Sequence, residues 1–178
     1  GLAALAVVAP VVALTNALTA PGPLLYKQER VGKAGKAFMV YKFRSMVPNA
    51  EGSTGAVMAA ANDNRITPVG KVLRKTRLDE LPQMINILRG EMSLIGPRPE
   101  RPEFVARLAE VIPFYRARHA VAPGLTGWAA VHQDYAASTD DALLKLQYDL
   151  YYIKHRSLLL DGWILLRTAA KVLRLVGR

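Results

Sequence analysis

The chain has 178 residues, half of them apolar, with 24 Lys and Arg against 14 acids, a formal net charge of +10 and no cysteine. That length suits one domain with a substantial core, and the missing cysteines exclude disulfides and thiolate metal sites. The charge points to a polyanionic partner: nucleic acid, an anionic membrane surface or a phosphorylated molecule. Totals alone do not separate the three. His119, His132 and His155 are too scattered for a metal cluster and read as surface or packing residues.

The chain opens on glycine inside an apolar run, which implies further sequence upstream. No charged side chain occurs before Lys27. A run of that length matches a membrane segment, but alanine richness, Pro10 at its centre and Thr15-Asn16 argue against a simple span. A bent segment that enters one leaflet and turns back fits better. A signal-peptide core and a buried soluble helix are the plainer readings; neither a basic n-region nor a convincing cleavage site supports the first. Residues 1–22 are therefore assigned to a re-entrant helix that is incomplete at its N-terminus, and residues 23–178 to the membrane-associated remainder of one domain.

Ala20-Pro21-Gly22-Pro23 ends that helix. Leu24 to Val31 and Ala37 to Phe43 then read as two strands of a hairpin around Gly32-Lys33-Ala34-Gly35-Lys36. Its cations Lys27, Arg30, Lys33, Lys36 and Lys42 are either solvated or turned toward phosphate. Val47 to Asn64, with Pro48, Gly52 and Gly55, reads as a loop that could serve as a lid. A helix is expected over Thr67 to Leu73 and another over Glu80 to Arg89, with Pro82 in its first turn, Asp79 near its N-cap and Gly90 closing it. After Gly96-Pro97-Arg98-Pro99 come a helix over Glu103 to Val111, a tight turn at Pro123-Gly124-Leu125-Thr126-Gly127-Trp128, and a helix over Asp140 to Lys154 opened by two acids. From Ser157 onward, Arg167, Lys171, Arg174 and Arg178 fall on one helical stripe opposite Trp163, Ile164, Leu165, Leu166 and Leu173. That pattern suits a helix lying in a membrane interface or an ordinary surface helix. The fold class is α+β and mainly helical: a re-entrant membrane helix, a small β-hairpin and amphipathic interfacial helices around a site on the cytoplasmic face.

Asp79 and Glu80 stand together in Leu78-Asp79-Glu80-Leu81-Pro82-Gln83. One explanation is a cap and a dipole partner. The other rests on the arginines nearby. Arg74 and Arg77 precede the acids, and Arg98 is restrained between two prolines. Planar guanidinium groups match phosphate oxygens. Carboxylates belong in such a site because one can hold Mg²⁺ alongside substrate phosphates and another can attack phosphorus.

The stretches YKQERVGKAGKAFMVYKFRSM, NRITPVGKVLRKTRLDELPQMINILRGEMSLIGPRPERPEF, IPFYRARHAVAPGLTGW and LQYDLYYIKHRSLLLD together resemble the bacterial sugar transferase family. These are monotopic phosphoglycosyl transferases that begin exopolysaccharide and O-antigen assembly. In character the chain resembles the catalytic module of the exopolysaccharide polyprenyl glycosylphosphotransferase branch. The resemblance implies transfer of hexose-1-phosphate from a UDP-sugar to undecaprenyl phosphate, releasing UMP, at the cytoplasmic face of the bacterial inner membrane. It implies Asp79 as nucleophile, Glu80 as Mg²⁺ ligand, and Arg74 and Arg98 on phosphate oxygens, with Lys42, Arg44 and Asp149 as further substrate-site positions. The lipid bilayer is an expected partner, nucleic acid is not, and a homodimer is compatible. The chain departs from the family pattern at Ala130, where glutamine is usual, and at Ala9-Pro10, where a Ser-Pro pair usually lies about one helical turn earlier. A basic nucleic-acid module and a catalytically silent membrane scaffold are the alternative readings.

Overall fold

The computed structural model describes residues 1–50, 52, 63–133 and 138–174. Most of the loop expected over Val47 to Asn64, and Arg178 of the basic stripe, lie outside the described residues. Helices dominate, with two small sheets, and the chain divides into two compact units.

The first unit comprises Gly1–Lys27, Tyr41–Ile85 and Val172–Arg178. Helix α1, Leu2–Thr19, is built from alanine and aliphatic residues and runs through Pro10. Thr15 and Thr19 donate their hydroxyls back to the carbonyls of Val11 and Thr15, so these polar side chains are satisfied within the helix. It is long and apolar enough to cross a membrane. One side packs Val12, with Leu5, Val8 and Ala9, against Phe43 and Leu73. The remainder is bare: Val7 is 71% exposed and Leu18 77%. Helix α2, Pro68–Lys75, starts where Thr67 accepts the Gly70 N–H at 3.0 Å and proline occupies the first turn.

A hairpin of β1, Leu25–Val31, and β2, Ala37–Phe43, leads from this unit into the second and back. Helix α3, Gln83–Leu88, likewise crosses the boundary, and Gly90 closes it with φ +73°, the left-handed conformation glycine adopts freely.

The second unit comprises Gln28–Val40 and Asn86–Lys171. Strand β3, Ser93–Ile95, pairs in parallel with β4, Gly124–Thr126. The expected tight turn at Pro123–Trp128 is thus a strand. Backbones approach there so closely that a Cβ on Gly124 would lie 2.1 Å from the Gly96 nitrogen, and one on Gly127 2.2 Å from the Gly96 oxygen. Three glycines from two motifs allow the sheet to form. Helix α4, Pro102–Val111, and α6, Thr139–His155, pack Val105, Ala142 and Leu146 around Val31, Ile112 and Tyr115. Ser138 and Asp141 form a reciprocal capping box at the start of α6.

The short α5, Trp128–His132, and α7, Leu158–Leu173, build a second core of Ile95, Val131, Tyr152 and Ile164. Beside it His132 stacks on Tyr148 and Trp163, with ring centroids 5.2 and 5.5 Å away. The expected opposition of basic and aromatic faces on α7 is corrected here. Arg167 lies over the Trp163 ring at 4.5 Å, because positions four apart share a side. Lys171 donates to the Ala130 carbonyl at 3.2 Å instead of standing on an outward stripe. What α7 leaves outside includes bare leucines: Leu158 is 91% exposed, Leu159 88% and Leu166 73%.

Candidate functional site

The acidic pair sits in the first unit on a single 3₁₀ turn, Leu78–Glu80. Helix α2 ends at Lys75, and Arg77 then takes φ +60°, a left-handed conformation uncommon for a side chain of this size. That residue reverses the chain and is itself the cap position of the turn. The N–H groups of Glu80 and Leu81 reach back three residues to the carbonyls of Arg77 and Leu78, both at 3.2 Å. Met84 and Ile85 bond in the same tight pattern to Leu81 and Pro82, each at 3.0 Å. The expected helix from Glu80 therefore begins three residues later, at Gln83, and Asp79 does not occupy its cap. The cause is the left-handed reversal at Arg77, which sets a tight turn ahead of the helix.

Both acids are nearly withdrawn from water, Asp79 at 9% and Glu80 at 8% exposure. Buried carboxylates need compensating cations. Lys42, at the end of β2, supplies one: its ammonium donates to Glu80 Oε1 at 2.8 Å. Arg74 is half-buried in the last turn of α2, and its carbonyl accepts the Arg77 N–H at 3.2 Å. Four of the residues expected in the site, Lys42, Arg74, Asp79 and Glu80, thus belong to one unit, and Lys42 and Glu80 are in direct contact.

Of the other three expected residues, Arg44 shares that unit and Arg98 and Asp149 do not. Arg44 is buried in the first unit, and its two terminal nitrogens donate to the carbonyls of Ala20 and Pro21. Its guanidinium closes the chain leaving α1 on carbonyls that the helix end and Pro21 leave open, while its buried Nε makes no hydrogen bond among the described residues. Arg98 lies half-buried in the second unit. Asp149, also there, is an internal residue. It is 2% exposed, and its Oδ2 accepts from Arg118 Nε at 3.0 Å and Nη2 at 2.6 Å.

Around that pair the second unit holds a buried charge cluster that sequence reasoning missed. Glu100 pairs with Lys145, with Arg30 at 3.9 Å and with Arg118 at 4.0 Å. Burial pushes the Glu100 carboxyl up, but the Lys145, Arg118 and Arg30 cations outweigh it and hold the group down to about 2. His119 moves down to about 4, through burial first and then repulsion from Arg118 and Arg116. All of these residues except Lys145 fall inside a recognisable motif, but nothing in a motif tells a buried guanidinium from a solvated one.

The described residues contain no group of three or more His, Asp and Glu that could hold a metal. Mg²⁺ does not require one, since it is commonly held by one or two carboxylates with water and substrate phosphates completing the shell. A carboxylate has about four lone-pair sites, so pairing with Lys42 does not exhaust Glu80. The adjacent hard oxygen donors of Asp79 and Glu80 fit such an ion.

Comparison with known proteins finds relatives over most of the chain. A 52% identical match over 156 residues is the UDP-N-acetylgalactosamine-undecaprenyl-phosphate N-acetylgalactosaminephosphotransferase of Aeromonas hydrophila, covering 88% of this chain and 37% of that protein. The UDP-glucose:undecaprenyl-phosphate glucose-1-phosphate transferase of Xanthomonas campestris pv. campestris is 42% identical over 158 residues, 88% of this chain and 33% of the relative. The exopolysaccharide production protein PSS of Rhizobium leguminosarum bv. phaseoli is 41% identical over 181 residues, 97% of this chain and 90% of that protein. The chain thus spans little more than a third of the first two relatives and nearly all of the third. The family profile described as bacterial sugar transferase matches residues 1–175, and the chain belongs to that family.

Proposed function

We propose that the chain transfers hexose-1-phosphate from a UDP-sugar to a polyprenyl phosphate such as undecaprenyl phosphate. The observation that carries the reading is the buried Asp79–Glu80 turn with Lys42 on Glu80, in the same unit as a bare apolar helix. A carboxylate of Asp79 attacks the phosphorus next to the sugar. A bond forms from Asp79 oxygen to phosphorus, the bond to the bridging oxygen breaks, and UMP leaves with that electron pair. The acceptor's phosphate oxygen then attacks the same phosphorus and displaces Asp79, giving polyprenyl diphosphate sugar. Covalent catalysis of this kind splits one exchange between two bulky anions into two displacements.

Glu80, with Asp79 beside it, would hold Mg²⁺, which neutralises diphosphate charge when bound. Lys42 orients Glu80 through its hydrogen bond to Oε1. Arg74 and Arg98 are the proposed phosphate ligands. Helix α1 enters the cytoplasmic leaflet of the bacterial inner membrane and turns back at the surface. Support for this comes from its exposed valines and leucines, and from Pro10, which removes the hydrogen bond to the Ala6 carbonyl. The exposed leucines at the start of α7 contribute a second apolar contact with lipid.

The test is intact-mass spectrometry of the purified chain after exposure to UDP-N-acetylgalactosamine or UDP-glucose with Mg²⁺. The expected result is an added hexose phosphate that disappears in Asp79→Asn and is discharged by undecaprenyl phosphate. Turnover in Asp79→Asn close to wild type would overturn the nucleophile.

A further inference from the structure

Arg98 is held by its backbone to an unusual degree. From Gly96 to Glu100 the chain lacks the N–H groups of Pro97 and Pro99, so its anchorage rests largely on carbonyls. Each carbonyl from Pro97 onward has its own donor. Gly124 N–H reaches Pro97 at 2.9 Å, and Val31 N–H reaches Glu100 at 2.9 Å. The two between them, which flank the Arg98–Pro99 peptide, are taken by side chains. Arg118 Nη2 donates to the Arg98 carbonyl at 2.9 Å, and Arg30 Nη1 to that of Pro99 at 3.3 Å.

These two arginines are in turn held by acids. Asp149 Oδ2 takes two donors from Arg118, and Glu100 stands beside both guanidinium groups. Tyr115 accepts from Arg118 Nη1 at 3.4 Å. The side chains of Arg118 and Asp149 are 1% and 2% exposed. A pair so deeply buried is a weak source of stability, because desolvation offsets most of the attraction and an apolar replacement of equal volume often does as well. Its presence calls for another purpose, and the donor aimed at the Arg98 carbonyl provides one. A lysine could not serve in its place, since only the guanidinium fork serves Asp149 and the carbonyl from one plane.

We propose that Arg118, oriented by Asp149, and Arg30, which donates to Gln28 Oε1 and lies beside Glu100, are positioning residues that set the Arg98 backbone for a sugar-nucleotide diphosphate. The inference rests on the reading of Arg98 as a phosphate ligand. Holding the backbone in place before the donor arrives removes an ordering cost from binding, so loss of the anchor weakens donor use without touching the chemical groups.

The experiment is a double-mutant cycle on the full chain in detergent or nanodiscs. It uses whichever of UDP-N-acetylgalactosamine and UDP-glucose loads the wild type, and it measures donor KM and kcat separately. Arg118→Lys is expected to raise donor KM roughly tenfold or more, the scale of a lost charge-assisted hydrogen bond. In an Arg98→Ala background the same substitution is expected to raise it no further. Arg30→Gln, at a position less enclosed than Arg118, is expected to raise donor KM roughly threefold and likewise to lose its effect when Arg98 is absent. Additive effects, or unchanged donor KM in both Arg118→Lys and Arg30→Gln, overturn the positioning role while leaving Arg98 as a ligand. If Arg98→Ala alone leaves donor KM unchanged, the phosphate reading of Arg98 fails and the inference with it. Should Arg118→Lys not fold, Arg30→Gln decides the outcome alone.

Discussion

Two acid–base pairs, one in each unit, show how similar chemistry serves different ends. Lys42 and Glu80 meet at 2.8 Å on a turn, with side chains 22% and 10% exposed. Arg118 and Asp149 meet at 2.6 Å in an interior where both are almost fully enclosed. The first pair is reachable, rests on a strained approach through Arg77 and stands beside a second acid. The second pair has its donors distributed among a carboxylate, a phenol and a backbone carbonyl. A pair proposed to meet substrate gives up some enclosure, and a pair proposed to hold backbone keeps it.

That contrast can be broken most sharply at Asp79. Asp79→Asn is expected to lower turnover by on the order of 10⁴-fold or more while the melting temperature holds or rises, because a crowded buried charge is removed. A parallel loss of folding would place Asp79 with the architecture. Asp149→Ala should do the reverse: denaturant titration is expected to show about 3–5 kcal/mol of lost stability, since Arg118 is left buried and uncompensated. A loss below about 1 kcal/mol would show that water reaches this guanidinium and that the enclosed pair is no different from the open one.

A smaller effect comes from His119 beside Arg118. The unfolded chain takes up a proton on this ring near the usual 6.5, whereas burial and the neighbouring arginines delay uptake in the folded chain to about 4. Stability should therefore fall as pH drops from 6.5 towards 4, by on the order of 2 kcal/mol, and His119→Gln should flatten that part of the profile. Glu100, held down to about 2, adds its own loss only below its usual 4.5, so the two windows separate in a pH series of melts. The last change is at the less enclosed pair. Lys42→Met leaves the buried Glu80 without this cation, so it should lower stability, by less than Asp149→Ala does, and reduce turnover; an unchanged rate would remove Lys42 from the site.

Much of this organisation was legible in the residues. The uncharged run before Lys27, the glycine-bearing hairpin turn and the helices after Thr67 and before Gly90 carry strong local signals, and the structure has them within a few positions. The acidic pair and its arginines were visible as a cluster. Its backbone was not: a left-handed Arg77 leaves no mark in composition, and it moved the helix start from Glu80 to Gln83. Ser138, three residues before Asp141, carries a capping-box signature that the acidic pair overshadowed. Strand β4 hid behind its glycines because parallel pairing with β3 is a long-range event. Arg44 and Asp149 were read by residue type, and spacing along a chain does not encode which carbonyl or guanidinium lies opposite each of them.

The contact among Gly96, Gly124 and Gly127 has a bearing on how sequence change in such chains is interpreted. A single methyl group on Gly96 would stand 2.5 Å from the Ala122 carbonyl oxygen, with backbone, not a movable side chain, in the way. An alanine there touches no charged group, but it would shift the segment that carries Arg98. In a survey of natural variants, a conservative-looking glycine replacement at these three places is therefore a better marker of a silenced copy than many changes of charge on the surface.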